Sequence, residues 1–293
     1  MKNNLYKYTQ CFTSFTSLKN STFSLMSLKN TTIILLLAIA ARASECEEVS
    51  SAENMNTFIF TKKEKDFLCN ELNISYDAIR KNISELVKYN IIEKIDSKTY
   101  RLNPFLFAAG KKGPIDRCRA FCEESGKSSF VHISKNQTKF SFIFNSIENL
   151  KKFKCFTGED GTRVINKTEL AVFLMLSSEV KDCKFPKTPE TCNVIEINKE
   201  YYKRLSKTLG LDIRSVQRAI SSLCDMHLMH KFEGIDCKYM INPYIAAKGT
   251  MEEIRALQIE LMDKKYQNYF GGCAEGDTNK KESKIEIINI KSL

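Results

Sequence analysis

Apolar residues recur at helical spacing twice along the chain, each time followed by short β-rich runs. Ile79, Ile83 and Leu86 stand at i, i+4 and i+7, the stripe of a helix packed on a core, and Val216, Ile220 and Leu223 repeat the pattern. Ser75 and Asp212 precede these stripes as N-caps, since a short side-chain oxygen accepts from the unpaired N–H groups of a first turn. Upstream, residues 63–72 and 199–209 each suit a shorter helix, joined to the next by a brief turn in helix-turn-helix order. Downstream, Ile91-Ile-Glu-Lys-Ile and Thr99-Tyr-Arg-Leu flank Asp96-Ser-Lys as a hairpin. A second hairpin spans 229–241, with Gly234 and Asp236 at its tip. Pro104 and Pro243 lack an N–H and push Asn103 and Asn242 toward extended geometry, which ends each hairpin. The order helix, strand, helix, helix, hairpin predicts an α+β, mostly helical chain of two tandem winged helix-turn-helix domains.

The two patterns are copies of one unit, with a period near 137 residues. Asn30-Thr-Thr-Ile-Ile-Leu-Leu-Leu-Ala matches Asn166-Lys-Thr-Glu-Leu-Ala-Val-Phe-Leu, and each lies 28 residues before a strand-like segment at Phe58 or Val194. The segment from Asn73 to Leu86 matches that from Gly210 to Leu223, and the copies close on Tyr100-Arg-Leu-Asn-Pro-Phe and Tyr239-Met-Ile-Asn-Pro-Tyr, then Gly110 and Gly249. The boundaries that follow are 1–125 for the first domain, 126–139 for a linker, 140–270 for the second domain and 271–293 for a polar, disordered tail. Residues 1–29 match 140–150 loosely, which would give each copy an extra N-terminal element. Residues 114–135 read as a closing helix and the start of the linker. Residues 251–270 read as a charged amphipathic helix striped by Ile254, Leu257 and Leu261, which closes the second copy or mediates homo-oligomerisation.

The apolar run 33–41 has a rival reading as the core of a secretory signal, with Ala41-Arg-Ala43 imitating a cleavage site and residues 1–43 as the signal peptide. Asn20, Asn30, Asn73, Asn82, Asn136 and Asn166 would then be glycosylation acceptors on a secreted or surface protein. Nine apolar residues cannot span a bilayer. The equivalent stretch of the second copy, 170–176, is internal and cannot be a signal. The run is therefore read as the first core helix, over 32–42, with Asn30 or Thr31 near its cap.

Composition narrows the partner. The 293 residues carry 45 Lys and Arg against 35 Asp and Glu, a net charge of +10, which suits a polyanion, either nucleic acid or an anionic membrane surface. The eleven cysteines are scattered, with no CxxC pair, and read as reduced thiols of a cytoplasmic protein. Cys224, His227, His230 and Cys237 match no common zinc spacing, and Cys118 and Cys122 read as packing on one helix face. No metal and no cofactor is expected.

Chemistry for DNA belongs on the helix faces opposite the apolar stripes. That face offers Tyr76, Asp77, Arg80, Lys81, Ser84 and Lys88 in the first copy, and Arg214, Ser215, Gln217, Arg218 and Ser221 in the second. Arg and Gln near a helix N-terminus can reach guanine and adenine edges in the major groove, whereas Lys and Ser more often hold phosphates. Hairpin residues Lys94, Lys98 and Arg101, with Lys231 and Lys238, would add backbone or minor-groove contacts. Asp77 would repel phosphate, so the first copy is expected to bind more weakly. The predicted partner is double-stranded DNA, with origin or operator half-sites as target and no membrane involved.

The run from the second helix through Asn-Ile-Ile-Glu-Lys-Ile, the hairpin and Arg-Leu-Asn-Pro-Phe-Leu-Phe-Ala-Ala-Gly resembles the Firmicute-type plasmid replication proteins called RepL. Lys238-Tyr-Met-Ile-Asn-Pro-Tyr-Ile-Ala-Ala-Lys-Gly249 is the closer match, and about 75 residues of the second copy share the likeness. The resemblance implies sequence-specific binding at a plasmid origin and recruitment of host replication machinery, without catalysis. The chain departs from that pattern in its duplication, its cysteines and its first thirty residues. A transcriptional regulator of the same fold is the alternative. A nickase would need a His-x-His metal pair; His132, His227 and His230 make none, which leaves Tyr201-Tyr202 no metal site to serve, and no Gly-rich phosphate loop is present, so no enzyme is expected.

Overall fold

The computed structural model describes residues 9–12, 27–124, 130, 139–142, 163–181, 183 and 188–270. Among them the chain is α+β, with eight α-helices and three small antiparallel sheets. The first copy runs β1 (Thr9–Phe12), α1 (Asn30–Arg42), β2 (Thr57–Ile59), α2 (Lys62–Leu72), α3 (Tyr76–Lys88), β3 (Ile92–Lys94), β4 (Thr99–Leu102), β5 (Phe107–Ala108) and α4 (Lys112–Glu124). The second repeats that order with β6 (Lys139–Phe142), α5 (Lys167–Glu179), β7 (Val194–Glu196), α6 (Lys199–Leu209), α7 (Ile213–Asp225), β8 (Met229–Lys231), β9 (Lys238–Ile241), β10 (Ala246–Ala247) and α8 (Met251–Glu260). The expected tail at 271–293 and nearly all of the expected linker lie outside the described residues.

The apolar run 33–41 is a core helix. Every residue of α1 from Thr32 to Ala41 is buried, as a helix apolar on all sides must be. The hydroxyl of Thr32, a polar residue inside that run, bridges Asn82 and Glu85 on α3. The expected cap differs: α1 begins at Asn30 behind Lys29, which offers no side-chain cap, and the Asn30 side chain instead donates to the Ile165 carbonyl of the other copy at 2.6 Å. Asn166, its counterpart, does cap α5, in a reciprocal box with Glu169.

In each copy a three-stranded sheet sets the hairpin beside the strand that follows the first helix. The order is β2-β4-β3 in one and β7-β9-β8 in the other, with Phe58 opposite Tyr100 and Ile195 opposite Tyr239. A buried asparagine ahead of each edge strand, Asn56 or Asn193, holds left-handed backbone with φ of 56° and 52°. The Asn56 side chain donates to Leu102 O at 2.7 Å and Phe107 O at 2.9 Å; Asn193 donates to Ile241 O and Ala246 O, both at 2.9 Å. These bonds tie the hairpin sheet to the next strand and satisfy buried carbonyls that would otherwise each cost roughly 1–3 kcal/mol.

That next strand belongs to a sheet shared by both copies. Its order is β10-β6-β1-β5, with β1 and β6 antiparallel at its centre. The loosely matched segments near residues 1–29 and 140–150 thus do supply an extra N-terminal strand to each copy, the second one starting at Lys139, inside the expected linker. The core is continuous too: one cluster of buried residues contains Leu35, Leu36, Ile83 and Leu102 together with Leu170, Phe173, Ile220 and Ile241. At the C-terminal end the expected single helix over 251–270 divides. The helix α8 stops at Glu260, and 3-10 turns follow over Lys264–Phe270, where the Asp263 carboxylate accepts from the Lys265 N–H and competes with helical continuation.

Candidate nucleic-acid interface

Each copy presents its second helix through a turn of the same build. Thr61 caps α2 and Asn198 caps α6, and each of these helices ends in a left-handed residue, Asn73 with φ 49° or Gly210 with φ 66°. Both types tolerate that conformation, and it reverses the chain within two residues. Ser75 then caps α3 by accepting from Ala78 N, and Asp212 caps α7 by accepting from Ser215 N at 2.8 Å. The Ser215 hydroxyl donates to the other Asp212 oxygen, and these bonds, the hydroxyl's first, hold the Asp212 carboxyl below its usual range.

The buried stripes run as the spacing indicates: Ile79, Asn82, Ile83 and Leu86 on α3, and Val216, Ala219, Ile220 and Leu223 on α7. Opposite them, Tyr76, Arg80, Lys81, Ser84 and Lys88 are exposed, as are Arg214, Gln217, Arg218 and Ser221. Arg80 lies 3.4 Å from Asp77, with both side chains 75% exposed, a pair too solvated to hold either charge firmly. No carboxylate among the described residues pairs with Arg214 or Arg218, and Arg214 occupies the position of Asp77. Two of the serines are already engaged. Ser215 is half-buried and spent on the cap, and the Ser84 hydroxyl donates to Arg80 O at 3.0 Å.

The hairpins carry Lys94, Lys98 and Lys231 exposed, while Lys238 is half-buried with its Nζ 5.1 Å from the Phe232 ring centre. Asp96 fixes the first hairpin tip by accepting from Lys98 N and Thr99 N, at 2.7 and 2.8 Å, and those backbone donors hold its carboxyl below the usual range. Arg101 does not belong with this surface. It is 6% exposed, donates to Glu53 O at 2.7 Å and to Glu93, and lies over the Phe121 ring. Its place on β4 faces inward, and the residue at the same register on β9 is the fully buried Met240. That apolar counterpart was the signal in the sequence. The hydrophobic pattern also passed over Ile213, 40% exposed at the first position of α7, as Tyr76 is at the first position of α3, and Ile95 and Ile235 near the hairpin tips. Each is an apolar residue off the core stripe, suited to a thymine methyl or a sugar face.

The Asn-Pro closure is structural. Asn103 accepts from Phe105 N at 2.9 Å and Asn242 from Tyr244 N at 3.0 Å, while Asn242 also donates to His227 O at the end of α7, at 2.9 Å. His230 stacks on Tyr269 with ring centres 3.8 Å apart. Among the described residues no three His, Cys, Asp or Glu side chains gather as a metal site, and no helix is long and apolar enough to cross a membrane. Cys118 and Cys122 are both buried. No protein-family model matches the chain, and no curated protein matches it.

Proposed function

We propose that each copy is a winged helix-turn-helix domain and that the chain reads double-stranded DNA, with α3 and α7 as recognition helices and the β3–β4 and β8–β9 hairpins as wings. The observation that carries this reading is the pair of equivalent helices, each held by its cap and its buried stripe so that Arg, Lys and Gln side chains stand exposed together. Arg214, Gln217 and Arg218 sit on the first two turns of α7, where side chains reach base edges, and among the described residues no carboxylate pairs with either arginine. Asp77 stands at that place on α3, so the second copy is the stronger reader. The net charge of +10 supports a phosphate-rich partner. The likeness of the Asn-Pro-aromatic closure to RepL proteins supports binding at a replication origin, with host replication proteins recruited there.

Titration of purified protein against fragments of its own replicon across a salt series tests the reading. Selective binding to one fragment, with log affinity falling by about 0.9 per neutralised phosphate for each decade of salt, is the expected result. Binding indifferent to sequence would overturn it, and a bound fragment at a promoter instead of an origin would overturn the replication role alone.

A further inference from the structure

Resting on that reading, we infer that the DNA target is an inverted repeat of two unlike half-sites, arranged about a pseudo-dyad that the fold builds into one chain. The strand register defines the axis. Placing Gln10 on Ser141, Thr9 on Phe140 and Cys11 on Phe142 maps the pairings of the shared sheet, Phe12–Lys139 at its end apart, onto pairings of the same sheet. Gln10–Ala108 goes to Ser141–Ala247, Cys11–Phe107 goes to Phe142–Ala246, and Thr9–Phe142 goes to Phe140–Cys11. The Gln10–Ser141 pair maps onto itself, so a two-fold axis perpendicular to the sheet passes through it.

The relation extends from this sheet to the helices. Asn56 and Asn193 make the same two bonds from the hairpin sheet to β5 and to β10. Cys46 N donates to Ala109 O and Cys183 N to Lys248 O, each at 2.7 Å. The helix α3 packs on α1 as α7 packs on α5, and the apolar residues of all four lie in one core. Two readers fixed by equivalent bonds to a two-fold sheet are themselves related by that two-fold.

A duplex offers two-fold axes perpendicular to its length, and such an axis exchanges the halves of an inverted repeat. Direct repeats are related by translation along the helix, which a 180° rotation cannot reproduce. One rigid chain can therefore dock both helices equivalently only on an inverted arrangement. The half-sites differ because the readers do: Asp77, Arg80 and Lys81 on α3 stand where α7 has Arg214, Gln217 and Arg218.

The test is selection of the full chain's preferred sites from random duplex DNA, followed by affinities for the selected half-sites in inverted, direct and single form. The inverted form should bind roughly tenfold or more tightly than the others, the discrimination that one good base contact gives. Inserting about half a helical turn between the half-sites should abolish that gain, and about 10 bp should not restore it, because a rigid chain holds its two readers at one separation. In footprints, Arg218→Ala should lose protection on one half only. A direct repeat or a lone half-site bound as tightly as the inverted pair would overturn the dyad while leaving DNA reading intact. Selection that enriches no sequence would overturn both.

Discussion

At the scale of single residues, arginine is the case where type and place part company. Arg101 and Arg218 are both arginines on elements near the expected surface, but one is 6% exposed and the other is open to solvent. Arg218→Ala should weaken selective DNA binding, by roughly 1–3 kcal/mol if the guanidinium pairs with a guanine, and leave thermal stability unchanged. Arg101→Ala should do the reverse, because it removes the buried guanidinium's bonds to Glu53 O and Glu93 and opens space beside Phe121; melting curves and binding isotherms of both variants check the pair. The two arginines could be told apart in the sequence only by reading Met240 at the matching register, since charge alone carries no information on burial. Glycine offers a second contrast. A Cβ on Gly110 would meet Cys46 O at 2.2 Å, with φ at +128°, whereas one on Gly210 meets nothing within 4 Å. Gly210→Ala should therefore cost only the left-handed backbone penalty of about 1–2 kcal/mol. Gly110→Ala displaces backbone and should cost markedly more in urea unfolding; equal losses would contradict the close approach.

Elements were legible where one local rule decides them. The stripes of α3 and α7, their caps at Ser75 and Asp212, and the prolines that close the hairpins all follow from spacing and side-chain chemistry a few residues apart. The C-terminal strap was not, because residues 251–270 keep a helical apolar rhythm while Asp263 stops the helix and sends Lys264–Phe270 across the second hairpin. There His230 stacks on Tyr269 and sits edge-on to Phe232, with rings 3.8 and 5.5 Å apart. Burial lowers the His230 pKa from its usual value, against a smaller opposing pull from Glu233. The unfolded chain, titrating near the ordinary value of about 6.5, then binds the proton before the folded one does. Stability held above that pH is lost as the pH falls through it toward the lower folded value. Amide protection factors, which are taken relative to the intrinsic exchange rate at each pH, should fall in the strap and in β8 on going from about pH 7.5 to about pH 5.5. In His230→Phe, which keeps an aromatic ring and loses the proton, that part of the response should vanish; an unchanged response would assign it elsewhere.

For the whole molecule, the duplication was readable because paired features such as Asn73 and Gly210, or Asn103 and Asn242, fall at a near-constant offset. How the copies meet was not readable, since pairing between Thr9–Phe12 and Lys139–Phe142 joins two four-residue segments with no periodicity to announce it. This joint has a mechanical consequence. Tandem domains with separate cores unfold separately, whereas these copies share a central sheet and one continuous apolar cluster. Opening either copy would expose the buried flanks of α1 or α5 and strip a partner from β1 or β6. The described body should therefore melt in one transition, with calorimetric and van't Hoff enthalpies in agreement. Gln10→Pro provides the sharper test. Gln10 pairs with Ala108 on one side and Ser141 on the other, so a proline there sits in a central strand, where it removes a ladder donor. If the copies form one cooperative body, amide exchange should rise in β9 and α7, far along the chain, as well as in β4 and α3. Acceleration confined to the first copy would mean that the two units are coupled only by the chain between them.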